Sequence, residues 1–523
     1  MGVDGLRPNL LAMTDSRTPF KVDIIGAGLA GLCLGIRLRR AGFQTVIYEK
    51  AERPGGLCTG WRRTGYDFNG CLHWLLGSAP GTSFHDMWRS VADIDSLDFK
   101  YFDERVDIEI PSPDDPKPWH FHLYNDVDRF EQYLLALAPE DEPTIRKWAD
   151  DIRLAASLLP DLPPYPTEPT RLGRILHYTR LWRLARLLPF FYRWGRLTNK
   201  GFAIQFRNRK LASAVERLYM NETPMSVIIV GQAYMTARVA GTPVGGSLPL
   251  TNLLTDTYIA LGGTLRLSTP VASVRVEGRR AVGLTLADGS QTSADAVCSC
   301  ADWTWTVGTA LKGVKIPREM RRLLSAPKEA FFFSYCRVHL GYAAPLDTLP
   351  HFLRLACHIQ LPDGTTLDQL ELEISNFDGT TAPAGKTTIT ANFPTRQGQW
   401  WIDLRRTDMA SYRRAKESVL QTALRTIADN IPRAFATPFS PRLVEAADVA
   451  TPATFHRYTG NAHGSSQGWG PSLNQLRRPP LHPTIPALDR FAMAGHWLEA
   501  GGGAPVALIS ALFVEKLFNR FAK

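Results

Sequence analysis

One stretch near the start of this 523-residue chain restricts its fold more than any other. From Lys21 it reads Lys21-Val-Asp-Ile-Ile-Gly26-Ala27-Gly28-Leu29-Ala30-Gly31, and an apolar helical run then carries it to Gly42. A short apolar strand follows, Thr45-Val-Ile-Tyr48, closed by Glu49 and Lys50. Strand, glycine turn, helix, strand and terminal acid make a βαβ nucleotide unit. Gly26 permits the tight turn out of the first strand. Gly28 lets backbone N–H groups come close to a pyrophosphate, and Gly31 removes a side chain where helix meets sheet. The phosphate of such a ligand sits at the helix N-terminus, where unpaired N–H groups and the helix dipole favour an anion. Glu49 lies roughly 20 residues further on, placed to accept hydrogen bonds from ribose hydroxyls.

The residues after Glu49 separate FAD from NAD. Arg53-Pro54-Gly55-Gly56-Leu57 is a second glycine turn directly after the second strand. Two residues without side chains there allow a second close approach to a long, bent diphosphate ligand. A Pro-Gly pair also favours an ordinary surface turn; beside the first motif, the ligand reading is preferred.

Composition is that of a soluble globular chain, with 44% hydrophobic and 21% charged residues. The net charge of +10 favours anionic surfaces, but no recognisable nucleic-acid module accompanies it. Seven scattered cysteines with no Cys-x-x-Cys pair argue against a disulfide framework and against a structural metal, so no metal site is expected. Residues 1–20 lack the apolar core of a secretory signal and read as a disordered leader. The apolar run at 227–235 is too short to span a bilayer. A cytoplasmic protein is expected, with peripheral contact on the inner face of the membrane.

That contact is expected at 171–200. Between Glu168 and Glu216 there is no acidic residue, and Arg171, Arg174, Arg180, Arg183, Arg186, Arg193, Arg196 and Lys200 interleave with Leu, Trp and Phe. Cations on anionic headgroups with apolar side chains in the acyl boundary suit an interfacial segment. The arginines drift around a 3.6-residue helix rather than keeping one face, so a solvated arm packed on the protein is the competing reading.

Along the rest of the chain, strands are expected over 101–121 around the turn 111–116, then a helix over 126–158. A helix ending at Leu261 precedes strands at 271–276, 281–286 and 296–300, and Val271 sits where a strand offers backbone groups to an adenine. Strands are expected at 330–340, 352–360, 369–375 and 387–392, and helices at 411–428 and 508–521. The domain plan is a cofactor domain in three pieces (21–105, 231–303 and 445–523). A substrate domain is inserted in two, helical at 106–230 and strand-rich at 304–444. The fold class is α/β: a Rossmann-type, glutathione-reductase-like FAD-binding domain with an inserted α+β substrate domain.

Gly26-x-Gly28-x-x-Gly31, Glu49, Arg53-Pro-Gly-Gly56, the stretch 68–77, Pro243-x-Gly245-Gly246, Arg457-Tyr-Thr-Gly-Asn461 and the stretch 495–505 together resemble the phytoene desaturase-like and carotenoid isomerase-like FAD oxidoreductases, within the amine-oxidase-like flavoprotein superfamily. The resemblance covers nearly the whole chain after the leader. It implies FAD bound across Gly26, Ala27, Gly28, Leu29, Ala30, Gly31, Glu49, Lys50, Gly55, Gly56, Leu57, Val271, Gly495, His496, Gly503, Pro505 and Val506. It also implies apolar polyenes taken from membranes. The chain departs from the family pattern at Asn69, where many relatives have Asp, and at His496, where desaturases have an acid. At Ser510-Ala511 the usual pair is Ser-Gly. The His496-Trp497 form looks more like the isomerase-like bacterial branch.

The expected function is therefore an FAD-dependent oxidoreductase of a lipophilic polyene or isoprenoid, with hydride transfer at flavin N5 or flavin-assisted double-bond isomerisation. His73, His496 and Glu499 are the candidate catalytic residues because they neighbour the flavin loops; a hydrogen-bonded structural role is the simpler reading of His73. The alternatives are a flavin oxidase or dehydrogenase of another small molecule, an amine or secondary metabolite, and a non-enzymatic prenyl-lipid carrier.

Overall fold

The computed structural model describes residues 19–111, 118–161, 185–219, 223–470, 472 and 480–523. The leader expected at 1–20 lies outside them except for its last two residues, and so do most of the turn at 111–116 and the basic run from Arg171 to Arg183.

The glycine unit forms the middle of a five-stranded parallel sheet. Its order is Thr264–Arg266, Gln44–Tyr48, Lys21–Ile25, Ala296–Ser299 and Phe491–Met493. Neighbouring strands run parallel throughout. Such a sheet is covered on both faces, which is why Val22, Ile24, Ile47 and Val297 are all fully buried. Helix Leu29–Arg40 packs on it between helices Leu248–Ala260 and Gly503–Phe521. Close approach there needs glycine. A Cβ on Gly31 would stand 1.9 Å from the carbonyl oxygen of Gly26, and one on Gly35 would stand 2.7 Å from the ring of Tyr258.

A seven-stranded sheet forms the second layer. Its order is Val444–Ala450, Ser334–Tyr342, Thr387–Thr395, Thr366–Ile374, Phe352–Gln360, Glu104–Ile110 and Trp119–Tyr124. All its pairings are antiparallel except one. Phe352–Gln360 runs parallel to Glu104–Ile110, and this seam joins two distant parts of the chain in one sheet. Helix Met409–Phe435 lays Tyr412, Val419, Ala423, Ile427 and Ile431 against one face. Helices from Val127–Leu137 to Met225–Thr236 form a separate apolar cluster around Phe130, Trp148 and Phe202.

Several elements differ from expectation for local reasons. The helix expected over 126–158 is two, Val127–Leu137 and Glu142–Leu158, because Pro139 and Pro143 restart the chain between them. The strand expected at 330–340 begins at Ser334, after a short turn at Lys328–Ala330 and the bridge from Phe331 to Trp469. The last helix begins at Gly503 rather than at Leu508, so Pro505 and Val506 belong to its first turn, where proline is tolerated. Among the described residues no helix is long and apolar enough to cross a membrane.

Candidate functional site

Between the two sheets lies a continuous cavity of about 1850 Å³. Ordinary small-molecule sites occupy roughly 300–1,000 Å³, so it has room for more than one ligand. One end is lined by the glycine turns and the other by the seven-stranded sheet and the helical cluster.

At the first end the two glycine turns interlock. Gly55 N–H donates to the carbonyl of Ala27 at 2.8 Å, and Gly28 and Gly55 form a bridge. Gly28 begins the first helix with no side-chain cap, and a Cβ placed on it would meet only the Gly55 oxygen at 3.9 Å. Space and unpaired N–H groups thus coincide at a helix N-terminus, the arrangement an anionic diphosphate needs. The last helix repeats the pattern: Gly502 precedes it without a side-chain cap, and Gly503 (φ +88°) opens it. Gly495 (φ +132°) is held by the Ser510 hydroxyl, which accepts its N–H at 2.8 Å. These features fit a long dinucleotide cofactor laid from one helix start to the other.

Glu49 is buried, and its carboxylate accepts the N–H of Ala27 at 2.7 Å and that of Ala51 at 2.9 Å. Burial raises its pKa against these bonds. The acid therefore braces both turns as well as facing the cavity, a role that spacing alone did not reveal. Of the expected cofactor residues, Gly26, Gly28, Leu29, Ala30, Glu49, Lys50, Gly55, Gly56, Leu57, Val271, Gly495, His496, Gly503, Pro505 and Val506 all line this one cavity. Ala27 and Gly31 do not: Ala27 is fully buried, and Gly31 lies against the Gly26 carbonyl.

The three candidate catalytic residues line the cavity too. Burial lowers the His496 pKa to about 4, and its Nε2 has no hydrogen-bond partner among the described residues, so at neutral pH it presents an uncharged imidazole. His73 reaches the opposite wall, where its Nδ1 stands 2.8 Å from Oε2 of Glu373. Glu499 lies on the glycine-loop side.

Sequence reasoning missed the polar wall that His73 meets. On the large sheet, Arg337 donates to Glu373 (2.8 Å), to Asn392 (2.7 Å) and to the carbonyl of Gly70 (2.6 Å). Asn392 donates in turn to Glu373 at 2.5 Å. Burial works to raise the Glu373 pKa, but His73, Arg337 and these bonds overcome it and hold the carboxyl far below its ordinary value. Next along, Arg354 pairs with Glu371 at 3.2 Å and donates to the carbonyl of Leu218 at 2.6 Å. The signal was present: Arg337 and His339, Glu371 and Glu373, and Thr390 and Asn392 are polar pairs two residues apart in apolar strands, which puts each pair on one face.

Asn69 does structural work. Its oxygen accepts from the Ser247 hydroxyl at 2.7 Å, while its nitrogen donates to the carbonyl of Leu72 at 2.7 Å. An ionised aspartate accepts only, so the amide is the side chain that can make both bonds.

The fold and cavity define the class: a Rossmann-type α/β domain joined to a large mixed sheet, with one cavity lined by both. The family model for an NAD(P)-binding Rossmann-like domain matches residues 24–91. An all-trans-zeta-carotene desaturase of Myxococcus xanthus is 26% identical over 434 residues, covering 78% of this chain and 79% of that protein. A chloroplastic prolycopene isomerase 2 of an Oncidium hybrid cultivar is 23% identical over 484 residues, covering 84% and 74%. Among solved structures, an oxidoreductase from Methanosarcina mazei superposes with a TM-score of 0.59 at 14% identity, over 95% of this chain and all of that one (100%). The resemblance to carotenoid desaturases and isomerases thus holds across most of the chain, and the fold agrees with it.

Proposed function

We propose that the chain is an FAD-dependent oxidoreductase of a lipophilic polyene. The observation that carries this reading is the single cavity that runs from two uncapped helix starts, the first braced by Glu49, to an aromatic wall containing Trp74, Tyr234, Phe332, Phe333 and Phe352. The relatives named as carotenoid desaturase and isomerase support the substrate class. The domain plan that follows is a cofactor domain of three pieces, 21–105, 231–303 and 445–523, enclosing the substrate domain.

FAD would lie along Gly26–Gly31, Glu49, Gly55–Leu57, Val271, Gly495 and Gly503–Val506, and when bound it supplies a two-electron hydride acceptor. The protein residues orient the polyene, exclude water and handle the proton. Loss of a hydride from one carbon leaves a proton to be removed from its neighbour. His73 accepts that proton at Nε2, since Nδ1 faces Glu373, and the carboxylate stabilises the charge the ring gains. His496, neutral and buried, shapes the flavin side of the cavity.

Substrate enters from a membrane surface. Leu188, Phe191, Tyr192 and Ile204 are exposed apolar residues, with Leu188 at 67% and Ile204 at 82%, and Arg186, Arg193 and Arg196 lie among them. Phe191 and Arg196 also line the cavity, so the same segment borders both the surface and the substrate space. Incubation of the purified holoprotein with liposomes carrying partly saturated carotenoids tests the reading. New conjugated double bonds, or cis-to-trans conversion, in the extracted lipid support it; unchanged carotenoids together with oxidation of a soluble amine would replace it.

A further inference from the structure

An arginine without a counter-ion among the described residues lies in the wall of a cavity assigned above to an apolar substrate. Arg105 sits where strand Glu104–Ile110 is bulged against Trp119–Tyr124, with the register slipping between Glu104 and Val106. A bulge redirects a side chain, and Arg105 lines the cavity. Its guanidinium rests on Gly231 of helix Met225–Thr236: a Cβ there would stand 3.1 Å from both Nη1 and Nη2. The glycine makes the room the cation occupies.

The neighbouring charges are matched, and this one is not. Arg354 is answered by Glu371, Arg337 by Glu373 and Arg217 by Asp368. Arg105 has no ion pair among the described residues, and its buried Nη1 has no hydrogen-bond partner. Burial acts most against its charge, the phenol of Tyr219 acts in its favour, and the like charge of Arg354 acts against it. A buried, unpaired guanidinium is costly unless something ionic or polar completes it. The planar fork suits a carboxylate. A carboxylate also brings the one negative charge the site lacks, whereas a phosphate monoester brings nearly two.

We propose that Arg105, with Tyr219 beside it, recognises a carboxylate at the end of the substrate, so that the chain acts on an acidic polyene rather than on a plain hydrocarbon. This rests on the polyene reading above and narrows it. Phe352 and Arg354 bridge the site to His73: the His73 and Phe352 rings are 6.5 Å apart, and the Arg354 guanidinium stands 5.9 Å from the Phe352 ring. A chain anchored at Arg105 would therefore run along an aromatic side chain towards the His73 end of the cavity.

The test uses all-trans-retinoic acid and its methyl ester, which share a polyene and differ in charge. Binding to the purified full chain is read by quenching of tryptophan fluorescence. The acid should bind roughly tenfold or more tightly than the ester, the range expected for a charge-assisted hydrogen bond. Arg105→Met should bring the acid down to the ester's affinity and leave the ester unchanged. Arg105→Lys should keep part of the preference. Gly231→Ala, which crowds the guanidinium without removing it, should weaken the acid selectively. Equal affinities for acid and ester in the unchanged protein, or an Arg105→Met variant that weakens both alike, would overturn the inference while leaving the polyene reading in place. Binding of neither ligand would overturn both.

Discussion

His73 and Glu373 meet at 2.8 Å across the cavity, one from the loop that follows the glycine domain's first hairpin and the other from the centre of the large sheet. Glu373 is also the carboxylate that answers the buried Arg337, 2.8 Å away. One acid thus serves a charge pair that holds the sheet and a histidine that lines the cavity.

Glu373→Gln should therefore act on stability and catalysis together. Removing the charge strands Arg337, which costs about 3–5 kcal/mol for a buried pair broken on one side. The double variant Arg337→Met with Glu373→Gln should recover most of that stability, yet polyene turnover should stay low because His73 has lost its partner. Denaturant unfolding and turnover, measured on both variants, separate the two effects.

Gly28 and Gly31 are three residues apart but should fail differently. A Cβ at Gly31 collides with the Gly26 carbonyl at 1.9 Å, so Gly31→Ala should lower the melting temperature of the flavin-free protein. A Cβ at Gly28 meets open space, with its nearest neighbour at 3.9 Å. Gly28→Ala should leave the flavin-free protein as stable as before and weaken flavin binding, because the added methyl occupies room the ligand needs. Thermal melts and flavin titration of both variants check this.

Asn69→Asp should destabilise this chain. The carboxylate keeps the bond from the Ser247 hydroxyl but cannot donate to the Leu72 carbonyl. An unsatisfied, part-buried acceptor costs about 1 kcal/mol or more. A denaturation midpoint equal to that of the unchanged protein would remove Asn69 from this role.

His339 predicts an acid-side loss of stability. Burial first, and then the charge of Arg337, lowers its pKa to about 3 from the ordinary 6.5. The folded state keeps it neutral while the unfolded chain binds a proton, so the stability is complete above pH 6.5 and falls as pH drops through the window towards 3. Between pH 6.5 and 5, above the range of most carboxylates, the loss should approach roughly 2 kcal/mol at about 1.4 kcal/mol per pH unit. His339→Phe retains the stacking on Phe68 and should flatten the stability curve over that interval.

Leu188→Glu combined with Tyr192→Glu should weaken sedimentation with anionic vesicles and leave flavin content unchanged. Both side chains are exposed, so the fold should tolerate the change. Equal sedimentation would contradict a membrane contact through this segment.

The glycine turns and the Glu49 carboxylate that meet at one end of the cavity were legible in the sequence because their pattern is local. A strand, glycines at fixed offsets and an acid one strand later can be read within thirty or so residues, as the βαβ unit dictates. The polar wall was not legible, because it is assembled from a distance. Glu104–Ile110 and Phe352–Gln360 lie side by side only through the parallel seam of the large sheet, and no local pattern announces which strands will neighbour one another. Arg105 was harder still, since its direction depends on a bulge and on an opposing glycine in a helix. Helix ends went astray where prolines intervened, at Pro139 and Pro143, and at Gly503, where a glycine-rich run reads as a loop yet opens a helix.

The most direct measurement is the visible spectrum of the purified protein under anaerobic conditions, recorded before and after mixing with liposomes loaded with a partly saturated polyene. The account predicts a flavin spectrum that bleaches on mixing as electrons leave the polyene. A protein that remains colourless even after FAD is added would contradict it.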